Sequence, residues 1–260
     1  MTSAMVSLDV EDAIGIVTLN RPEALNAISG SVAEQLTSAF REVGSRPDIW
    51  VMVLRAEGDK AFCVGADLKE RSSFTLEDFY SNRKQIRGMF GALRSMPQPT
   101  IAAVFGFALG GGFELALSCD FIVAAPGTML GLPEARVGLI PAGGGTQLLT
   151  HKAGMARAKE LIFTGRRFSA EEGQEMGLVS RLVPAERLDG EAIELARDVC
   201  RSSPVAVREA KRAIEAAAGS SIEDGEELEH AAWERVIVTE DRTEGIAAFN
   251  EKRAPNWSNR

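Results

Sequence analysis

Cysteine, histidine and aromatic residues are all scarce in this chain. Its three cysteines, Cys63, Cys119 and Cys200, are too few and too far apart for a disulfide framework or a zinc site, and they fit a reducing compartment such as the cytoplasm. The two histidines, His151 and His230, form no HExxH pair, which argues against a histidine-based metal centre. Aromatic residues make up 6%, which gives little support to a sugar site. The longest apolar run, residues 100–113, is too short to span a bilayer and is broken by glycines. The N-terminus lacks the basic and apolar regions of a signal peptide. P-loop and dinucleotide fingerprints are absent, so neither ATP nor NAD is implied. Positive charge is in deficit, 29 Lys and Arg against 37 Asp and Glu, and the net charge of −8 argues against a non-specific nucleic-acid binder.

What remains is an ordinary globular composition, 45% hydrophobic and 25% charged over 260 residues, enough for one large domain or one domain with an appendage. Residues 13–19 and 49–54 read as strands, the second a continuous apolar run of the buried parallel kind. Between them Ser31 and Glu34 form a capping box before Leu36, Phe40 and Val43 at helical spacing, so the segment is a βαβ unit. Residues 75–96 form a helix whose basic residues, Arg83, Lys84, Arg87 and Arg94, read as a solvated face. Strands follow at 100–107, 121–125, 129–132 and 178–183, with a helix at 155–163 and a capping box at Ser169 and Glu172. From Arg187 strand signals vanish, and helices are expected at 188–201, 205–218 and 221–252, followed by a loose tail. The periodicity gives an α/β core over residues 1–186 and a helical subdomain over 187–260.

The chemistry concentrates in residues 99–139. Glu114 follows three glycines at a strand-to-helix turn, where glycine permits positive φ and lets a ligand reach the backbone. The first N–H groups of the new helix are free to meet an anion or a developing oxyanion. Glu134 opens a helical turn after Pro133, and a second glycine turn before a helix, PAGGGT, follows at 141–146. The Glu114 carboxyl, set in apolar company, is a candidate for proton transfer, and two carboxyls on either side of one water can share such work. Glu134 also suits an ordinary first turn of a helix, and paired carboxylates also serve glycosidases. Asp120 reads as a structural cap, Cys63 and Cys119 as packing residues, and His151 as a surface residue.

FCVGADLKE, then PTIAAVFGFALGGGFELALSCD, then GLPEARVGLIPAGGGTQ, flanked by NRPEALNA and DRTEGIAAFNEKR, resemble the crotonase superfamily of enoyl-CoA hydratases and isomerases over nearly the whole chain. The resemblance implies a spiral of ββα turns as the acyl-CoA-binding core, with a C-terminal helical part that serves trimerisation. It implies homotrimers that pair into hexamers, an acyl-CoA thioester as substrate, and no cofactor beyond the coenzyme A that the substrate carries. The oxyanion donors fall on the N–H groups of Ala66 and Gly111, and the catalytic pair on Glu114 and Glu134. The N–H of Ala142, where many relatives have glycine, is expected to orient the water. Coenzyme A contacts fall on Ala24, Ala66, Asp67 and Leu68, and on Trp233, Phe249 and Lys252 from across a subunit boundary. Glu23 stands where relatives often carry a basic residue. The pair of glutamates resembles the hydratase branch most, a role in fatty acid β-oxidation being one setting for it. Double-bond isomerisation, an RNA-binding methylglutaconyl-CoA hydratase-like role and a silent assembly partner are the other readings.

Overall fold

The computed structural model describes residues 4–260. Its strands are β1 (Val6–Glu11), β2 (Ile14–Leu19), β3 (Val51–Ala56), β4 (Thr100–Val104), β5 (Phe107–Leu109), β6 (Phe121–Ala124), β7 (Met129–Gly131), β8 (Phe168–Ser169) and β9 (Arg181–Leu182). The first helices are α1 (Gly30–Ser45), α2 (Leu68–Arg71), α3 (Leu76–Arg94), α4 (Gly111–Ser118), α5 (Gly145–Ala153), α6 (Met155–Thr164) and α7 (Ala170–Glu175). Four more close the chain: α8 (Leu188–Cys200), α9 (Pro204–Ala216), α10 (Ile222–Ile237) and α11 (Glu240–Glu251).

One sheet runs β1-β2-β3-β4-β6-β9, and a smaller one runs β5-β7-β8. From β2 to β9 the large sheet is parallel, and β1 alone turns back on β2. Both faces are covered, which is why the strands read as unbroken apolar runs. Along β3, Met52 and Leu54 join a core with Leu36, Phe40, Phe90 and Phe113 from α1, α3 and α4. Val51 and Val53 join a second core with Leu188, Ala192 and Leu195 of α8. The first of the expected C-terminal helices therefore lies on the sheet, while α9 and α10 pack against each other beyond it.

The chain winds in repeated turns of two extended segments and a helix. After β2, Ile28 bridges Ala66; after β3, Cys63 bridges Ala108; β5 pairs β7 and β7 pairs β8. Each turn thus adds one strand to the large sheet and one rung to a second layer before its helix. This is the ββα spiral. It explains why residues 100–107, expected as one strand, are two: the chain bends at Gly106 and passes from one layer to the other.

Local signals are corrected at several points. The cap of α1 is Ser29, whose Oγ accepts from the Val32 N–H, so Ser31 lies inside the first turn and forms no capping box. The box that does form joins Thr75 and Asp78 at α3. Ser169 caps α7, but Glu172 pairs with Arg166 instead of returning to the cap. The strand expected at 178–183 shrinks to β9, and the last helix breaks at Thr239, which caps α11. The tail is not loose. Trp257 donates to the Arg201 carbonyl, Ser258 and Asn259 donate to the buried Asp241, and Asn259 also donates to the Pro47 carbonyl. Asp120 accepts from the Thr100 N–H and from Lys211, a structural role as expected.

Candidate active site

The turn between β5 and α4 fixes two backbone donors. Ile28 pairs with Gly65 and Asp67 on either side of Ala66, so the N–H of Ala66 points away from that rung. It turns toward Gly111, whose Cα substituent position lies 3.9 Å from the Ala66 nitrogen. Gly65 makes this approach possible: it sits at φ +90°, and a Cβ there would lie 2.9 Å from the Gly111 nitrogen and 2.8 Å from the Leu109 carbonyl. Among the described residues neither the Ala66 nor the Gly111 N–H finds an acceptor. Two converging, unspent donors, one at a helix start, form a site for a developing oxyanion.

Glu114 lies one helical step further along α4 and is 3% exposed. Its Oε1 accepts from the Gly143 and Gly145 N–H groups, each at 2.7 Å. Gly143 has to be glycine, since a Cβ would fall 2.2 Å from the Phe90 ring. Burial lifts the Glu114 carboxyl above the ordinary carboxylate range; the two N–H donors and the Arg83 charge pull the other way. Glu134 opens the 3-10 turn Glu134–Val137, half-buried, with its Oε1 against Gly110 and its Oε2 buried without a partner. Burial pushes its pKa up to about 7, with the Glu114 charge adding to the effect and its own backbone N–H opposing it.

Ala66, Gly111, Glu114, Glu134 and Ala142 all line one cavity of ≈ 290 Å³. Ala142 has no positive φ, so alanine fits where relatives carry glycine. The N–H groups of the glycine turn that are spent on a carboxylate are those of Gly143 and Gly145, which the sequence reading did not single out. The basic residues of α3, Arg83, Lys84, Arg87 and Arg94, are all exposed as expected; Arg94 also donates to the Gly143 carbonyl, and Arg83 also lines the cavity together with Arg71.

Ala24, Ala66, Asp67 and Leu68 line an adjoining cavity of ≈ 960 Å³ with Arg21 and Lys69. The Asp67 carboxylate is committed there, accepting from Arg21 at 2.7 Å and capping α2 through the Lys69 and Glu70 N–H groups. Burial would raise its pKa, but Arg21 and these donors outweigh burial and hold it below the usual range. Trp233, Phe249 and Lys252 line neither cavity: Trp233 is 55% and Phe249 84% exposed, on α10 and α11, and Lys252 caps α11. Cys63 and Cys119 are buried and burial pushes both thiols up to about 12, which makes them poor nucleophiles. Among the described residues no helix is long and apolar enough to cross a membrane.

Residues 9–260 match the family model described as enoyl-CoA hydratase/isomerase. The chain is 42% identical over 260 residues to a probable enoyl-CoA hydratase of Mycobacterium tuberculosis, covering 100% of both chains. It is 42% identical over 262 residues to an enoyl-CoA isomerase/hydratase of Zymoseptoria tritici, covering 95% of this chain and 84% of that one. The crystal structure of an enoyl-CoA hydratase from Bacillus anthracis superimposes with a TM-score of 0.96 at 41% identity, covering 99% of this chain and 100% of that one.

Proposed function

The chain belongs to the enoyl-CoA hydratase/isomerase family, and from that membership we propose that it adds water across the 2,3 double bond of an enoyl-CoA thioester to give the 3-hydroxyacyl-CoA. The observation that carries this reading is the convergence of two carboxyls and two unspent N–H donors on one cavity. An enoyl thioester is a weak electrophile, and water adds at its β-carbon only if charge can build on the thioester oxygen. The N–H groups of Ala66 and Gly111 take that charge. Losing one such donor typically costs about a hundred- to a thousandfold in rate.

Glu114, anchored through Oε1, offers its other oxygen to the water. Glu134 starts protonated. As the water oxygen bonds to the β-carbon, the π electrons move toward the thioester oxygen. In one concerted step the water's proton passes to one oxygen of the Glu134 carboxyl while the proton on its other oxygen goes to the α-carbon as the double bond collapses back. A pKa near 7 suits a group that must hold and release a proton near neutrality. The balance closes with no cofactor beyond the coenzyme A of the substrate, which the cavity beside Ala24 and Leu68 would receive. Trp233, Phe249 and Lys252 would complete that site from a neighbouring copy.

Isomerisation is the second reading, favoured by the dual description of the family. It runs on one carboxyl and needs no water. The two are separated by incubating the protein with crotonyl-CoA and with a 3-enoyl-CoA and weighing the products. Hydration predicts a product one water heavier from crotonyl-CoA. A 3-enoyl-CoA converted to its 2-enoyl isomer, with no water gained from either substrate, would replace hydration by isomerisation.

A further inference from the structure

Glu114 is held by a turn that has few restraints of its own. Residues 143–145 are three consecutive glycines, and glycine gives up the most backbone freedom on folding. Gly144 sits at φ +125°, where few other residues can follow, and as the N-cap of α5 it has no side chain to cap with. Two side chains of α3 meet this turn. The Phe90 ring stands against Gly143, and the Arg94 guanidinium lies over that ring, 5.9 Å from its centroid, and donates to the Gly143 carbonyl. Arg94 is the last residue of α3, and among the described residues it forms no ion pair. The Gly143 carbonyl and the Gly144 N–H belong to one peptide unit. No peptide bond among the described residues is cis, so the carbonyl faces Arg94 and the N–H points the other way. The Glu114 carboxyl takes the N–H side of the turn. Its Oε1 accepts from the Gly143 and Gly145 N–H groups, and the Gly144 N–H also pulls its pKa down. A cation on the carbonyl of a peptide polarises the unit and strengthens its N–H as a donor. The Glu114 charge in turn opposes the fall that burial imposes on the Arg94 guanidinium.

We infer that Arg94 is a positioning residue for the reaction: it fixes the glycine turn through the Gly143 carbonyl, and with it the Glu114 carboxylate that orients the water. This rests on the hydration reading for its consequence but not for the contact. The other charges that face Glu114 are Arg83 of α3 and Glu134, with Arg71 of α2 on the same cavity. Among the described residues none of these three is hydrogen-bonded to the glycine turn, so Arg94 alone joins a charge to the backbone that holds Glu114.

The test compares the wild type with Arg94→Lys and Arg94→Ala. Arg94 is exposed at a helix end, so both variants are expected to fold. On crotonyl-CoA, Arg94→Ala is expected to lower kcat about ten- to a hundredfold while KM stays within about threefold, since the loss falls on the water and not on the thioester. Free guanidinium at low millimolar concentration should restore part of that kcat where sodium at equal ionic strength does not, and Arg94→Lys, which keeps the charge without the planar fork, should fall between. A second readout needs no turnover. The Glu114 carboxylate stretch, isolated by infrared difference between each protein and its own Glu114→Gln version, should titrate about half a unit to one unit higher in Arg94→Ala than in the wild type. That rise, with no hydration by the wild type, would retain the positioning of Glu114 and remove the hydration reading. An unmoved Glu114 titration, or a loss of kcat that guanidinium leaves untouched, would overturn the inference.

Discussion

Glu134 shows how a functional residue can cost stability. Folded, it holds its proton up to about pH 7; an ordinary glutamate releases it near 4.5. Between those values the folded state binds more protons than the unfolded chain, so this group's contribution falls as pH rises and is least favourable above 7. Glutamine carries no charge at any pH and fits the same space. Glu134→Gln is therefore predicted to unfold at higher urea concentration than wild type at about pH 8, by on the order of 1–3 kcal/mol, with the gap closing toward pH 5. A gap independent of pH, or a loss at pH 8, would show that burial does not penalise the ionised group. Both glutamates were legible in the sequence because each follows a proline or glycine turn. What holds Glu114 was not. The N–H groups of Gly143 and Gly145 lie 29 and 31 residues away, and nothing in PAGGGT announces a side-chain acceptor. Arg83 and Arg94 stand on the exposed face that helical spacing assigned them, but spacing does not tell what stands across from a face, so the Gly143 contact of Arg94 and the place of Arg83 at the cavity were not legible.

At the scale of elements, the buried parallel strands were the clearest part of the sequence, since covering both faces leaves a continuous apolar run. Helix α3 was legible from its spacing, and α4 from its glycine turn. Strand β1 was passed over because only one of its residues is buried, and half-exposed alternation is a weak signal over six residues. The capping residue of α1 was misplaced by two positions, since serines at 29 and 31 both suit a cap and only the backbone of Ser29 is extended there. The division of residues 100–107 between two layers was hidden inside one apolar run. Both halves are buried, and the bend at Gly106 looks like any glycine in a strand. The pinned tail was missed because it is tied by hydrogen bonds from Trp257, Ser258 and Asn259, not by an apolar stripe.

For the whole molecule, periodicity alone supplied an α/β core and helical end; the spiral itself came from the ordered motifs, which name a family and so a topology. The isolated chain leaves large apolar side chains uncovered on its last helices. Ile222, Val238 and Phe249 are 79%, 80% and 84% exposed, with Trp233 and Ile246 more than half exposed. Exposed apolar area on this scale is a surface for association. We propose that copies of the chain bury it, bringing Phe249 and Lys252 to a neighbour's coenzyme A cavity. Light scattering on the eluting protein is predicted to give three or six times the chain mass. A monomer with full activity would contradict both the association and the shared site.

The central claim is that Glu114 and Glu134 act together on one water. It is tested most directly by following loss of the conjugated enoyl-thioester absorbance of crotonyl-CoA with the wild type, Glu114→Gln and Glu134→Gln. All three are predicted to fold and to bind coenzyme A, with each variant slowed about a hundred- to ten-thousandfold. Full activity in either variant would remove that glutamate from the mechanism and contradict the account.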